Sequence, residues 1–430
     1  MRLLFALLLL LLATVYGSNT AIAATYFVDD SGNDDAPGSE AQPWATLQRA
    51  ADAVQPGDTV FVRSGFYSGG HFTTSGTPSM RILLAAFAGE TPVVNANNPV
   101  TSDGINLEGA SYMTVRGFTV TGTGRAGIRA VLCDGVEIRN NITDNNLRWG
   151  ILTGFCDDLI IEDNQASNSV DEHGIYVSNS GDRPQIRGNL VFGNNANGIH
   201  MNGDLSEGGD GIISEAVVEG NLIYDNGGAG GSGINCDGVQ DSLISNNLIY
   251  DTHASGISLY QIDGGAASSN NRVLNNTVLV ASDGRWAMNI QNGATGTVLR
   301  NNIFHSEHSF RGAIDICPAC LTGLDSDFNA VEDRFTTDGG DSTLTLAQWQ
   351  AAYGQDAHSV ASTPDALFTS PATGDFTLLV PTSPALNSGM TLNEVPFDLV
   401  GTSRPQGSAY DIGAYESPSQ ELVFKDGFEN

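Results

Sequence analysis

His200, Tyr176, Tyr260 and Asp237 are the residues of this 430-residue chain whose types suit proton transfer, provided the fold brings them to one surface. A histidine near its ordinary pKa serves as a general base, and a tyrosine can return the proton as an acid. Glu172 and His173, which directly precede Gly174, are rival members of the same centre. Asn202, Asn235, Asn289, Gln291 and Gln261 carry side chains suited to holding a polar ligand, and Arg285 brings a positive charge close to them. Trp149, with Tyr176 and Tyr260, offers flat faces for stacking, although Trp149 serves equally well as corner packing. Asp204, Glu207, Asp210 and Asp263 are the oxygen donors available to a hard cation such as Ca2+; the plainer reading makes them solvated acids of glycine-rich loops.

These positions form one surface only if the chain is periodic, and it is. A glycine followed by an apolar residue recurs at Gly104-Ile105, Gly127-Ile128, Gly150-Ile151, Gly174-Ile175, Gly198-Ile199, Gly233-Ile234 and Gly256-Ile257, with Ala287-Met288 in the same role. A second series runs in step, Gly117, Asn141, Asn164, Asn189, Asn221, Asn247, Asn276 and Asn302, each after a short run such as VEIRNN or LIIEDN. A spacing of about 23 residues means stacked supersecondary units. Residues after each Gly-Ile alternate with period two, and no helical periodicity intervenes, so the units are strands. Parallel strands joined by short turns at one coil per repeat wind as a solenoid, an all-β parallel β-helix. The asparagines are then a stacked polar ladder at one corner, a structural role.

The register gives two outward columns. The first reads Asn106, Arg129, Leu152, Tyr176, His200, Asn235, Ser258, Asn289; the second reads Glu108, Val131, Gly154, Ser178, Asn202, Asp237, Tyr260, Gln291. His200 should stack ~4.8 Å from Asn235 and lie diagonally ~8 Å from Asp237. Two coils are longer than the rest: 20 residues run from Met201 to Asn221 and 17 from Leu259 to Asn276, against 11 in the three coils Ala130 to Asn141, Thr153 to Asn164 and Cys236 to Asn247. Insertions in a solenoid become loops on one face, so GDLSEGGDGIISEA and QIDGGAASSN are expected on either side of the coil bearing Asn235 and Asp237, walling a groove.

The same register stacks Cys133 on Cys156, either as a disulfide or as buried thiols, and turns Cys236 into the core. Cys317 and Cys320, in CPAC, are expected as a local disulfide. Residues 1–24 read as an export leader, with an apolar run from Leu3 to about Tyr16 and a small-residue cleavage site at Ala21-Ile22-Ala23. An N-terminal cap and first coils occupy 25–89, with a capping helix around Thr46 to Val54 that leads into a strand at Thr59 to Arg63. Repeats fill 90–335, a C-terminal capping module with a short helix at Thr345 to Ala352 fills 336–417, and 418–430 is a detached tail.

With 49 acidic against 18 basic residues, a net charge of −31 and a single lysine, Lys425, the chain lacks the basic face that a nucleic-acid binder needs. No later run is apolar for the ~20 residues that cross a bilayer, so an exported monomer without a membrane span is expected, secreted or at the cell surface.

FVDDSGNDDAPGSEAQPWATLQRAADAVQPGDTVFVRSGFY and the repeats resemble the right-handed parallel β-helix proteins of the pectate lyase-like superfamily, and SPALNSG, RPQG and YDIGAYE resemble a choice-of-anchor Q module. The tail VFKDGFEN resembles short terminal motifs of exported proteins, a sorting hint. The resemblance implies an extracellular polysaccharide as partner. Lyases of this superfamily that need calcium commonly use Lys or Arg as base; the only lysine here lies near the terminus, which leaves His200 as base, Tyr260 or Tyr176 as acid, and an arginine role for Arg285 or Arg129 open. Hydrolysis needs two carboxylates ~5–9.5 Å apart, and in the columns above Tyr176 only Asp237 qualifies directly. Elimination, or the related epimerisation, therefore ranks above hydrolysis, with a non-catalytic adhesive protein as the alternative class.

Overall fold

The computed structural model describes residues 23–418, so the expected leader and tail fall, apart from their edge residues, outside the described residues. The chain is an all-β, right-handed parallel solenoid of about 12 turns. Each coil gives one strand to each of three parallel sheets. The first sheet has 12 strands, from Thr25–Val28 to Asp325–Asp327; the second has 11, from His71–Phe72 to Phe335–Thr336; the third has 12, from Gly65–Ser68 to Val360–Ala361. One coil runs Ala126–Asp134 in the second sheet, Glu137–Arg139 in the first and Ile142–Asp144 in the third, before Trp149–Asp157 begins the next.

The Gly-Ile repeat is the register itself. Ile128 pairs with Ile151, then Ile175, Ile199, Ile234, Ile257, Met288 and Ile314, and every one is fully buried in a single apolar column. The glycines precede them because the coils approach too closely for a side chain: a Cβ at Gly150 would stand 2.7 Å from the carbonyl oxygen of Gly174, and one at Gly198 equally close to that of Gly233. The asparagine ladder is present and extends to Asn329. From Asn164 to Asn329 each Oδ1 accepts the backbone and side-chain N–H of the asparagine one coil below, as Asn221 does from Asn189 at 2.9 and 3.0 Å, while Asn141, above Gly117, accepts from the Phe118 backbone N–H. The residue before each ladder position turns the corner in the left-handed region, at φ 53° for Asn140 and 55° for Asp163, which is why NN, DN and GN precede the turn.

Helix α1, Leu47–Ala53, is capped by the Thr46 side chain and covers the lower end with Leu47, Ala50 and Ala51. Helix α2, Leu346–Tyr353, covers the upper end, Trp349 stacking on Phe335 at 5.1 Å. Residues 364–418 do not remain at that end as a cap. They fold back along the flank, where Leu367, Phe368, Phe376, Leu378 and Ile412 pack on Leu248, Leu279 and Ile303, because these sheet residues are outward apolar positions that need cover. Cys133–Cys156 and Cys317–Cys320 are disulfides, and Cys236 is a buried free thiol.

At the upper end of the solenoid, burial pushes the Glu332 carboxyl up to about 7 and the His305 imidazole down to about 4. A carboxyl raised above its unfolded value of 4.5 contributes stability that is present below that pH and is lost as pH rises through about 7. Glu332→Gln is therefore expected to raise the unfolding free energy at pH 8 by up to about 3 kcal/mol, with the gain vanishing near pH 4.5. Urea unfolding of both proteins at the two pH values checks this; an equal difference at both would refute it.

Candidate functional site

The outward columns stand as the register requires: Tyr176 pairs with His200, His200 with Asn235 and Asn235 with Ser258, while Ser178, Asn202, Asp237 and Tyr260 run beside them. His200 is not a lone solvated imidazole. Its Nδ1 lies 3.0 Å from His173 Nε2, and its ring stacks on Tyr176 at 5.0 Å. Tyr176 in turn stacks on Trp149 at 5.7 Å, and the Trp149 indole N–H donates to Glu172 at 3.2 Å. Glu172 also pairs with Arg148 and stands 3.5 Å from His173 Nε2. The two rival pairs of the sequence, His200 with Tyr176 and Glu172 with His173, thus form one cluster. Trp149 and Trp286 are buried and act as corner packing, not as exposed platforms.

Hydrogen-bond direction assigns the protons. The Asn197 backbone N–H donates to His173 Nδ1 at 3.3 Å, so that nitrogen is a lone pair and the ring hydrogen lies on Nε2. His173 Nε2–H then donates to His200 Nδ1, which leaves the His200 hydrogen on Nε2. Burial agrees, holding His173 down to about 4 and His200 well below the usual histidine range, so both rings are neutral at neutral pH. In this arrangement His200 is a donor, and the free Nε2 lone pair that a base would use is absent. The Asn202 amide N–H donates to Tyr176 Oη at 3.2 Å, and that of Asn235 to Tyr260 Oη at 2.9 Å. Burial raises both phenols, so Tyr176 and Tyr260 keep their hydrogens.

Asp237 is spent elsewhere. Its buried carboxylate accepts the backbone N–H groups of Ile262, Asp263 and Gly264 at 2.8–3.0 Å, holding the second loop. The loops do not rise on opposite sides of that coil. They meet over it, with Asp204 bridging to Gly264, Leu205 N–H donating to Asp263 and Gly265 N–H to Gly211, and so wall one edge of the second sheet. Gln261 belongs to that wall, its amide donating to Gly264. Asn289 and Gln291 stay half-buried on the columns, Asn289 reaching Ser258 at 3.4 Å, while Arg285 is exposed at the other edge. Arg129 is committed below to Asn106 and Glu108.

The expected calcium ligands are not gathered. Asp204 caps its own turn through Ser206, and Asp210 accepts from Ser180 and from Ile212 N–H. Glu207 and Asp263 join no cluster with them; the one metal-compatible group among the described residues is Asp225, Asp251 and His253, at another corner. A cavity of about 550 Å3 lies apart from the columns, between the third sheet and the flank segment, lined by Tyr250, His305 and Phe376 among others.

Comparison with known proteins bears on the fold. A model of the Pel9A-like right-handed β-helix region matches residues 26–172, and one of the right-handed β-helix region matches 169–316. The crystal structure of pectate lyase Pel9A superposes with a TM-score of 0.60 at 17% identity, covering 91% of this chain and 96% of that one. This chain has the Pel9A-like β-helix fold.

Other solved structures share the Pel9A-like architecture. A rhamnogalacturonan lyase aligns with a TM-score of 0.56 at 16% identity over 71% of this chain and 87% of its own, and XylC in complex with xylose with 0.57 at 11% over 91% and 98%. Among curated relatives, pectate lyase PEL9 of Emericella nidulans is 35% identical over 77 residues, 17% of this chain; the match spans 19% of that relative. One column residue of this Pel9A-like solenoid escaped the sequence reading. Asp315 follows Asn289 in register, is buried, and has its carboxyl raised by that burial. Ala313-Ile314, 26 residues after Ala287-Met288, is the signal that would have found it.

Proposed function

We propose that this chain is an exported polysaccharide-active β-helix that binds glycan across the outward face of the second sheet and cleaves it by β-elimination. The observation that carries the reading is the hydrogen-bonded His173–His200 pair stacked on Tyr176, placed in the coil where a long loop departs. Its support from relatives is that the fold neighbours and the curated relative bear the names of lyases acting on pectate and rhamnogalacturonan. Elimination needs the ring proton beside a uronate carboxyl taken by a base, the charge on that carboxyl relieved and a proton delivered to the leaving oxygen. The base is the Tyr176 phenolate, populated on the alkaline side because burial raises the phenol and steadied by the Asn202 amide N–H on its oxygen. The Tyr260 hydroxyl is the neutral donor for the carboxyl and the leaving oxygen, and a neutral donor suits a chain whose net charge of −31 repels polyanions at long range.

A second reading, glycan binding without cleavage, is favoured by one observation: at the level of His200 the columns present no free basic lone pair, since Asp237 holds its loop and the His200 hydrogen is on Nε2. A panel of uronate and neutral polysaccharides, with and without chelator, separates the two. Appearance of an unsaturated product absorbing in the near ultraviolet, reduced at least about a hundredfold in His200→Ala, is expected for the lyase. Binding with no product from any polysaccharide overturns it in favour of the second reading, and new reducing ends without unsaturation overturn it in favour of hydrolysis.

A further inference from the structure

Four side-chain polar atoms on the strands of the second sheet are shielded from solvent and lack a partner, Thr153 Oγ1, His200 Nε2, Asn202 Oδ1 and Asp315 Oδ1, and only His200 Nε2 and Asn202 Oδ1 among them form a neighbouring pair. These two belong to the same strand, Ile199–Asn202, two residues apart and so on the same face, about 6.6 Å apart along the backbone. The rest of each side chain is committed. His200 Nδ1 is held by His173, and the Asn202 amide nitrogen donates to Tyr176 Oη, which fixes Oδ1 as the end left over. The chain of donors from Asn197 through His173 makes His200 Nε2 an N–H, so the orphaned pair is one donor and one acceptor. Asn202 is 5% exposed, and an unpaired buried polar group is costly, so the pair is poised to take a partner.

We propose that His200 Nε2–H and Asn202 Oδ1 together bind one hydroxyl group of a neutral sugar unit, and that His173 is the positioning residue that sets the polarity of the pair. A hydroxyl oxygen accepts from the imidazole while its own hydrogen is given to the amide oxygen, satisfying both atoms at once. A carboxylate does not: it accepts from His200 but sets a second oxygen lone pair against Asn202 Oδ1. The site therefore selects hydroxyl over carboxylate at this point, and any uronate carboxyl of the substrate lies off the pair, towards the tyrosine hydroxyls. The inference rests on the reading that this face meets glycan and sharpens it by naming the group recognised.

The tautomer is tested first, without substrate, by nitrogen NMR of isotope-labelled histidine in the full chain. His200 is expected to carry its hydrogen on Nε2 across the neutral range, and His173→Gln to turn that single signal into a mixture of tautomers; an Nδ1–H form of His200 in the unaltered protein overturns the proposal. Binding is then measured by calorimetry with xylo-, cello-, galacto- and galacturono-oligosaccharides and with the O-methylated form of the tightest of them. Methylation, His200→Leu and Asn202→Leu should each weaken binding about tenfold, and His200→Gln, which keeps an N–H donor, should weaken it less. Equal affinity in the leucine variants overturns the proposal, and if those variants still release unsaturated product, the lyase reading survives it. If no saccharide binds and no polysaccharide is cleaved, both fall together.

Discussion

Asn221→Ala is expected to lower the free energy of unfolding by about 4 kcal/mol, because the asparagine ladder is where the solenoid has least tolerance. Asn221 is fully buried. Its Oδ1 accepts from the Asn189 backbone N–H and side chain, and its Nδ2 donates to Ile186 O and Asn247 Oδ1, each at 2.9–3.0 Å. Alanine leaves the Asn189 N–H and the Ile186 carbonyl without these partners and out of water, and each such orphan costs about 1–3 kcal/mol. Asn221→Asp should be at least as damaging, since it sets carboxylate oxygen against the Ile186 and Asn247 oxygens. The exposed Asn393, by contrast, should tolerate alanine within about 0.5 kcal/mol. Urea titration followed by far-ultraviolet circular dichroism measures all three; a loss below about 1 kcal/mol for Asn221→Ala would show that the ladder is not held together as described.

Arg404→Met should detach the flank segment at a cost of about 3–5 kcal/mol while leaving the coils wound. Arg404 and Glu416 have fully buried side chains and meet at 2.9 Å. The guanidinium also donates to the carbonyls of Asp411 and Gly413 and to Asn246 of the solenoid, and Glu416 accepts the backbone N–H groups of Gln406 and Asp411. Burial pushes Glu416 up and Arg404 down, so each charge is disfavoured without the other. Removing the arginine strands a buried carboxylate. Adding Glu416→Gln should recover part of the loss, which makes the double variant less than additive. Limited proteolysis should cut first within residues 364–418 of Arg404→Met, while the far-ultraviolet spectrum stays that of the solenoid; a segment as resistant as in the unaltered protein refutes this.

Much of the architecture was legible because a solenoid is nearly one-dimensional. Each coil contacts only its neighbours, so the interval between Gly-Ile pairs states which residue lies above which, and His200 over Tyr176 or Cys156 over Cys133 needed no tertiary information. The capping helices were readable from their own turns, Thr46 and Thr345 being N-caps. The flank segment was not, because SPALNSG and DIGAYE carry no period that says which outward apolar residues they cover.

The candidate site divides along the same line. Which side chains share the outward face follows from alternation with period two, and so the meeting of His200, Tyr176, Asn202 and Asn235 was contained in the sequence. What each does there was decided by contacts without periodicity. Asp237 is an outward residue in register, yet the backbone of a loop twenty-five residues later claims its carboxylate. His200 had every appearance of a base until His173, reached from the coil below, fixed where its hydrogen lies. A repeating interval determines position along the stack and the side faced; protonation, loop path and burial depend on groups that no repeat relates, and only the folded chain brings those into range.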